Sequence, residues 1–145
     1  MRVVLQRVSR ASVTVDGAVV GAIERGYLLL VGFTRGDGES EIEWMADKIS
    51  GLRAFGDDDG RLNRDLHEVN GAVLVVSQFT VYGDSTKGRR PSFVQAAPPE
   101  VAEALYHRFA DALRRRSLTV QMGVFGAVME VALINDGPVT LLLER

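Results

Sequence analysis

The sequence predicts an α+β fold, in which a largely antiparallel sheet system and two helices form a single domain over residues 1–145. Three observations lead to this prediction. The chain has 145 residues, the size of one ordinary domain, and no repeat, linker or low-complexity segment divides it. Short apolar runs bounded by turn residues indicate strands, whereas two longer segments carry apolar residues at helical spacing. The 46% of hydrophobic and 25% of charged residues are typical of a globular protein.

The first third of the chain has the pattern of β-structure. Residues 12–15 alternate between polar and apolar, as in a strand with one buried face. The pair Asp16-Gly17 follows and favours the positive φ angles of a two-residue hairpin turn, so Ala18–Ile23 would form the returning strand. Residues 27–31 are continuously apolar, which indicates a strand buried on both faces.

Two helices are predicted. Ser40 with Glu43 three residues later has the pattern of a capping box at the start of the first helix. Its apolar residues then share one face: Ile42, Met45, Ile49 and Leu52. Pro99 suits the first position of the second helix, expected over residues 99–116. Its apolar ridge and its closing arginines are Val101, Leu105, Phe109 and Leu113, and Arg114, Arg115 and Arg116. Further strands are expected at residues 73–76, 118–122, 127–133 and 139–143.

Composition and motifs exclude several classes of function. The chain has no cysteine, which excludes disulfides, thiolate chemistry and cysteine-based zinc sites. The two histidines, His67 and His107, do not have the spacing of metal ligands, and no Gly-x-Ser-x-Gly elbow is present. We therefore expect no metal and no cofactor. A hydrolase built from this sequence would depend on backbone donors or on groups of its own substrate.

Charge and hydropathy bear on partners and location. A net charge of −2 argues against broad, sequence-blind binding of a polyanion, but it permits contact with one end of an RNA through a local basic patch. No apolar run approaches the roughly 18 residues needed to cross a bilayer, and the first residues do not resemble a secretory signal. The expected location is the cytoplasm, with no membrane partner.

Two segments carry polar groups that core packing alone does not require. Ser77-Gln78-Phe79-Thr80 directly follows an apolar strand, where side-chain groups and freed backbone N–H groups can hold a polar ligand or a developing oxyanion. The simpler interpretation is a strand that continues with alternating faces. Asn135-Asp136-Gly137-Pro138 lies between two apolar runs and is a strong turn signal, for which the simplest interpretation is a hairpin.

A third segment concentrates positive charge in a predicted loop. Lys87, Arg89 and Arg90, here called the basic loop, precede Phe93 in a stretch rich in glycine, proline, serine and charge. Cations beside an aromatic ring suit contacts with phosphate groups. A loop that is merely solvated is the alternative.

Several short motifs, each present once, follow one another along nearly the whole chain. They are Gln6-Arg7-Val8, Val75-Val76-Ser77-Gln78-Phe79-Thr80, Lys87-Gly88-x-Arg90-Pro91-Ser92-Phe93, Gly123-x-Phe125-Gly126-Ala127-x-Met129 and Asn135-Asp136-Gly137-Pro138-Val139-Thr140. Taken together they resemble D-aminoacyl-tRNA deacylase of the bacterial and eukaryotic type. The mild departures from that family, which include Tyr27 and Val81, lie outside the motifs that carry the activity.

The resemblance implies a homodimer with a β-barrel-like α+β fold that hydrolyses the ester bond of D-aminoacyl-tRNA. The pocket at Ser77-Gln78-Phe79-Thr80 would take the 3′-terminal adenosine with its aminoacyl group. A cis Gly137–Pro138 bond would reach into the partner subunit's pocket, where its carbonyls would occupy the place of an L side chain. Glycine has no side chain to clash, so glycyl-tRNA, with glycine mischarged on alanine tRNA, would be a second substrate.

The resemblance also implies roles in the reaction. Water would attack the ester carbonyl with help from the 2′-hydroxyl of the terminal ribose, while backbone N–H groups near Phe79 and Thr80 hold the oxyanion. The Thr80 hydroxyl is the alternative nucleophile. Phe125 and Met129 would line the pocket, and Arg7 would help to fix the partner's Gly-Pro loop. The basic loop would contact tRNA, whereas a contact of the closing arginines of the second helix is left open.

Two other functions stay open at this point. One is a related deacylase that edits another mischarged pair, such as alanine on a threonine tRNA, and carries a trans Gly-Pro bond that enlarges the pocket. The other is a non-catalytic tRNA-binding module, which would need a more basic surface than a net charge of −2 indicates and aromatic rings exposed for stacking. The motifs around Thr80 and Pro138 favour the D-specific type.

Overall fold

The computed structural model describes residues 1–145 and contains eight strands, two α-helices and one turn of 3₁₀ helix. The strands are β1 (Arg2–Val15), β2 (Ala18–Ile23), β3 (Gly26–Gly32), β4 (Phe55–Gly56), β5 (Leu62–Arg64), β6 (Ala72–Ser77), β7 (Thr119–Met122) and β8 (Glu130–Glu144). The helices are α1 (Glu39–Ser50) and α2 (Pro99–Arg115), and the 3₁₀ turn is Phe79–Tyr82. No helix has the length and apolar character that a membrane span requires.

The long strand β1 organises a six-stranded sheet. Along one edge it pairs with β8 over nearly its whole length, and along the other edge it pairs first with β3 and then with β2, always antiparallel. The pairings of β3 with β6 and of β6 with β7 are parallel. The sheet nearly closes where β2 approaches β7, since a β-carbon at Gly21 would lie 2.6 Å from the carbonyl oxygen of Met122. The prediction of a barrel-like α+β fold with two helices is confirmed.

Two apolar clusters lie on opposite faces of the sheet. The larger cluster packs α1 and α2 against the outer face. Its largest buried side chains include Tyr27, Phe55, Tyr106 and Phe109. The smaller cluster lies on the inner face and includes Leu28 and Leu74. Because Tyr27 and Leu29 belong to the larger cluster and Leu28 to the smaller one, β3 is buried on both faces as predicted.

Helix α1 begins two residues earlier than the predicted capping box. Its N-cap is Gly38, whose backbone N–H donates to the Glu41 carboxylate at 2.9 Å. The Ser40 hydroxyl donates to the same carboxylate at 2.7 Å, and this bond, together with the one from Gly38, lowers the pKa of Glu41 below its usual value. The predicted pairing of Ser40 with Glu43 is wrong because Ser40 already lies inside the first helical turn, where its backbone cannot take the extended N-cap conformation.

Ion pairs between the two helices engage the arginines that close α2. Arg115 and Arg116 both pair with Glu43 of α1, the latter at 2.9 Å, while Arg114 pairs with Asp111 of its own helix at 2.8 Å. The hydrogen bond from Arg116 is the main cause of the lowered pKa of Glu43. Arg115 and Arg116 therefore join the two helices, and all three arginines lie at the negative end of the α2 dipole.

Strand β8 is continuous where the sequence predicts two strands joined by a hairpin. Gln6 of β1 faces Thr140, but Val8 faces Asn135, so residues 136–139 bulge out of the ladder. The Asn135 side chain closes the base of this bulge by donating to Gln6 at 2.7 Å and accepting from the backbone N–H of residue 139 at 3.0 Å. The hairpin prediction is wrong because β1 pairs with the chain on both sides of the turn, and a local pattern does not reveal so distant a partner.

Candidate active site

A cavity of about 790 Å³ opens where β3 and β6 end beside each other. Its wall is mostly hydrophobic, with polar side chains from Ser77 and Gln78 at the end of β6. Phe79, Phe125 and Met129 line it as well, so the structure brings these predicted site residues together. The volume suits a small ligand or a single nucleotide.

The chain turns sharply at the end of β6. The Gln78 N–H donates to the Val31 carbonyl at 2.7 Å, the last bond of the parallel ladder, and the 3₁₀ turn starts at Phe79. The first N–H groups of a helical turn have no acceptor inside that turn. The N–H groups of Phe79 and Thr80 therefore have no hydrogen-bond acceptor within the 3₁₀ turn. The interpretation as a strand that continues past Ser77 is wrong, because the strand ends there.

The Thr80 side chain lies apart from the cavity wall. Thr80 is not among the residues that line the cavity, and its hydroxyl accepts a hydrogen bond from the Gln78 side-chain amide. Phe79 is 57% exposed, and its ring meets the Phe93 ring edge to face at 5.0 Å between centroids. Phe79 therefore contributes an aromatic side chain to the cavity wall, while the Thr80 hydroxyl is engaged by Gln78.

Tyr106 of α2 packs against residues of the cavity wall without lining the cavity itself. The sequence patterns did not indicate a role for it. Its buried hydroxyl donates to the Val75 carbonyl at 2.7 Å and lies 3.2 Å from the Gly123 carbonyl, while its ring lies 5.9 Å from that of Phe125. Burial raises the pKa of Tyr106 well above its ordinary value, so the hydroxyl stays a donor. Helical spacing identifies this position as core but does not reveal its contact with the end of β6.

The Gly137–Pro138 segment lies in the bulge of β8, away from the cavity of its own chain. The bond between the two residues is cis, and Gly137 has a φ of +132°. Neither residue lines the cavity, whereas Val131 of the same strand does. Gly137 lies six residue steps along the strand from Val131, which corresponds to roughly 20 Å less the shortening caused by the bulge.

Arg7 holds this bulge in its own chain. Its guanidinium donates to the Asp136 carbonyl at 2.9 Å and to the Ala54 carbonyl at 2.6 Å, and it lies 3.3 Å from the Asp136 carboxylate. A β-carbon at Gly137 would lie 2.8 Å from a guanidinium nitrogen, so the contact is close. Arg7 does not line the cavity, and it holds the bulge of its own chain, whereas the resemblance assigns it to the partner's Gly-Pro loop.

The predicted basic loop and one further cation lie near the cavity. Asp84 and Ser92 exchange two backbone hydrogen bonds of 2.8 Å, which close the loop that carries Lys87, Arg89 and Arg90. These three side chains are exposed, and the chain then enters the cavity wall at Phe93. Arg35, which the sequence analysis did not select, is the only charged residue that lines the cavity. No group of three or more histidine, cysteine or acidic residues is arranged to hold a metal ion.

Comparison with known proteins identifies the family. The family model described as D-Tyr-tRNA(Tyr) deacylase matches residues 4–144. This chain belongs to that deacylase family. It is 59% identical over 145 residues to D-aminoacyl-tRNA deacylase of an Exiguobacterium species, covering 100% of this chain and 99% of the relative. It is 55% identical over 144 residues to the protein of the same name from Thermus aquaticus, covering 99% and 95%.

Two solved structures resemble this member of the deacylase family. A structure titled c-Myc DNA Unwinding Element Binding Protein has a TM-score of 0.92 and 43% identity, over 100% of this chain and 99% of the other. A probable eukaryotic D-amino acid tRNA deacylase has a TM-score of 0.83 and 21% identity, over 98% and 97% of the two chains. The second likeness shows the shared fold alone.

We predict that Tyr106→Phe loosens the segment Gly123–Phe125, whose last residue lines the cavity. Loss of the hydroxyl removes one buried hydrogen bond and should lower the free energy of unfolding by about 1–2 kcal/mol. Hydrogen exchange at the Gly123 and Phe125 amides should accelerate. Tyr27→Phe is the matched control, because the Tyr27 hydroxyl donates to the Leu52 carbonyl at 3.0 Å, away from the cavity wall. Equal exchange rates at the Gly123 and Phe125 amides in both variants would contradict the role assigned to Tyr106.

Proposed function

We propose that this chain hydrolyses the ester bond between a D-amino acid and the 3′ end of a tRNA, releasing free amino acid and tRNA in the cytoplasm. The observation that carries the proposal is the 55–59% identity to D-aminoacyl-tRNA deacylases over essentially the full chain. That span includes the cavity residues as well as the scaffold. Glycyl-tRNA, with glycine mischarged on alanine tRNA, is the second proposed substrate.

The chemistry proposed for the cavity relies on backbone donors. The N–H groups of Phe79 and Thr80 stabilise the oxyanion that forms when water attacks the ester carbonyl. The 2′-hydroxyl of the terminal ribose assists the proton transfer. The substrate thereby supplies a proton-transfer group that the cavity wall lacks. Support comes from the lining itself, which contains a serine, a glutamine and an arginine but no carboxylate or histidine that could act as a general base.

The proposed selectivity for D-amino acids comes from the bulge of a second copy of the chain. Gly137 and Pro138 enter the partner's cavity and place carbonyl groups where an L side chain would have to go. The distance between this bulge and the cavity of its own chain supports an action across a homodimer. Arg7 then serves as the residue that orients the bulge before it enters the partner.

Contacts with the body of the tRNA are assigned to the basic loop. Lys87, Arg89 and Arg90 are exposed and make no ion pair within the chain, so their charges are available to phosphate groups. The closing arginines of α2 are less available, because each is paired with an acidic residue.

A second candidate function is nucleic-acid binding without catalysis. It is favoured by the solved structure at 43% identity, which is described as that of a DNA-unwinding-element binding protein, and by the unpaired cations of the basic loop. This function predicts binding of tRNA with no release of amino acid, so an assay of amino-acid release separates the two.

The central prediction concerns matched aminoacyl esters. Purified protein without added metal should release D-tyrosine from D-tyrosyl-tRNA and glycine from glycyl-tRNA, and it should leave L-tyrosyl-tRNA intact over the same period. L-alanyl-tRNA(Thr) is the diagnostic substrate for the related editing deacylase. Preferential cleavage of that ester, or tRNA binding with no cleavage of any ester, would refute the proposed function.

We predict that Thr80→Ala retains activity within roughly tenfold of the wild type, the equivalent of about one hydrogen bond. The Thr80 hydroxyl is bonded to Gln78 and lies off the cavity wall, whereas the backbone N–H survives the substitution. Single-turnover rates on D-tyrosyl-tRNA provide the measurement. Complete loss in Thr80→Ala with recovery in Thr80→Ser would establish the hydroxyl as nucleophile.

Mixed dimers test whether the bulge acts on the partner. Gly137→Ala should displace the bulge, because a residue with a β-carbon is strained at the φ of +132° that Gly137 adopts, and the variant homodimer should cleave L- as well as D-tyrosyl-tRNA. Phe79→Pro removes one backbone N–H at a position that tolerates proline, and its homodimer should be inactive. In a mixed dimer of the two variants, the intact cavity receives the intact bulge of the partner, so cleavage should become selective for the D ester again. Cleavage of both esters by the mixed dimer would mean that each bulge serves its own chain.

A further inference from the structure

One positively charged side chain, that of Arg35, lines the cavity and has no role in the proposed chemistry. Arg35 is exposed, it is the only charged residue that lines the cavity, and it makes no hydrogen bond or ion pair within the chain. An unpaired cation at the rim of a mostly apolar cavity selects for ligands with an anionic group at the corresponding place.

The acidic groups close to Arg35 in the sequence are already paired. The Asp37 carboxylate accepts from the Met1 ammonium group and from the Thr34 N–H, both at 2.8 Å. Glu39 pairs with Arg108 of α2. No carboxylate lines the cavity, so nothing in the wall competes for the Arg35 guanidinium.

The turn that carries Arg35 is fastened to another part of the cavity wall. The Thr34 hydroxyl donates to the Gln95 carbonyl at 2.6 Å, and the Ala97 N–H donates to the Phe33 carbonyl at 2.9 Å. These bonds tie residues 33–34 to the segment that follows the basic loop. The base of the Arg35 side chain therefore has a defined position relative to the cavity, as a binding residue requires.

We propose that Arg35 binds the phosphate group on the 5′ side of the terminal adenosine of the tRNA. The inference rests on the proposed function, which puts that adenosine in the cavity. The amino group of an aminoacyl ester is cationic and would be repelled by Arg35, and the adenine and ribose are uncharged. The phosphate is the one anion of this nucleotide, and a guanidinium binds it through two parallel hydrogen bonds.

The test uses two small esters that differ by one phosphate group. They are 2′(3′)-O-D-tyrosyl-adenosine and its 5′-monophosphate. The wild type should hydrolyse the phosphorylated ester with a KM about tenfold lower, the size expected for one charge-assisted contact. Arg35→Gln should abolish this preference, and Arg35→Lys should keep part of it. Arg61→Gln is the matched control, because Arg61 is exposed, lies outside the cavity and makes no side-chain bond.

Each result separates the inference from the function on which it rests. Equal KM values for the two esters in the wild type, or an unchanged preference in Arg35→Gln, would overturn the role of Arg35 while the deacylase activity stands. Failure of the wild type on D-tyrosyl-tRNA itself would overturn both. Binding of adenosine 5′-monophosphate and adenosine, measured by titration calorimetry, gives a readout that does not depend on turnover. The wild type should bind adenosine 5′-monophosphate more tightly than adenosine, and Arg35→Gln should lose this difference. Equal affinities of the wild type for the two ligands would contradict the inference.

Discussion

The pairing of β1 along both of its edges is the constraint on which the other features depend. A strand of 14 residues would extend roughly 46 Å if it were straight, which exceeds the diameter of a domain of this size. It therefore coils, with β8 on one edge and β3 and β2 in succession on the other. This coiling brings β2 to β7 and nearly closes the barrel. It also leaves β3 in the middle of the sheet, beside its parallel neighbour β6.

The parallel pair β3–β6 explains why the cavity is where it is. Two parallel strands end at the same edge of a sheet, so Val31 and Ser77 leave the ladder side by side. Backbone groups that lose their ladder partners there must bond elsewhere or face a ligand. Gln78 keeps a partner in Val31, whereas the next two N–H groups begin a helical turn. Two residues before this edge, the Tyr106 hydroxyl donates to the Val75 carbonyl and so fixes the end of β6 against α2.

Local patterns in the sequence predicted the elements that depend on local interactions. The Asp16-Gly17 hairpin forms with φ angles of 49° and 78°, and Pro99 is the first residue of α2, because both depend on backbone preferences of the residues themselves. The continuity of β8 was not predictable in this way, since β1 bridges its bulge from the other end of the chain. The position of Arg35 was not predictable for a similar reason: only the fold brings it to the cavity, and nothing around it in the sequence marks it as a cavity residue.

The distribution of charges reconciles a slightly acidic chain with an anionic substrate. The arginines that close α2 are neutralised by Glu43 and Asp111, so they add little to the field outside the protein. Arg35 and the three cations of the basic loop make no such pairs and occupy the rim of the cavity and the loop that leads into its wall. Net charge counts paired and unpaired groups alike. A phosphate group is attracted mainly by unpaired cations within about 8–10 Å, because salt at physiological concentration screens charges farther away. A net charge of −2 is therefore compatible with local attraction of one RNA end and with weak affinity for RNA elsewhere on the surface.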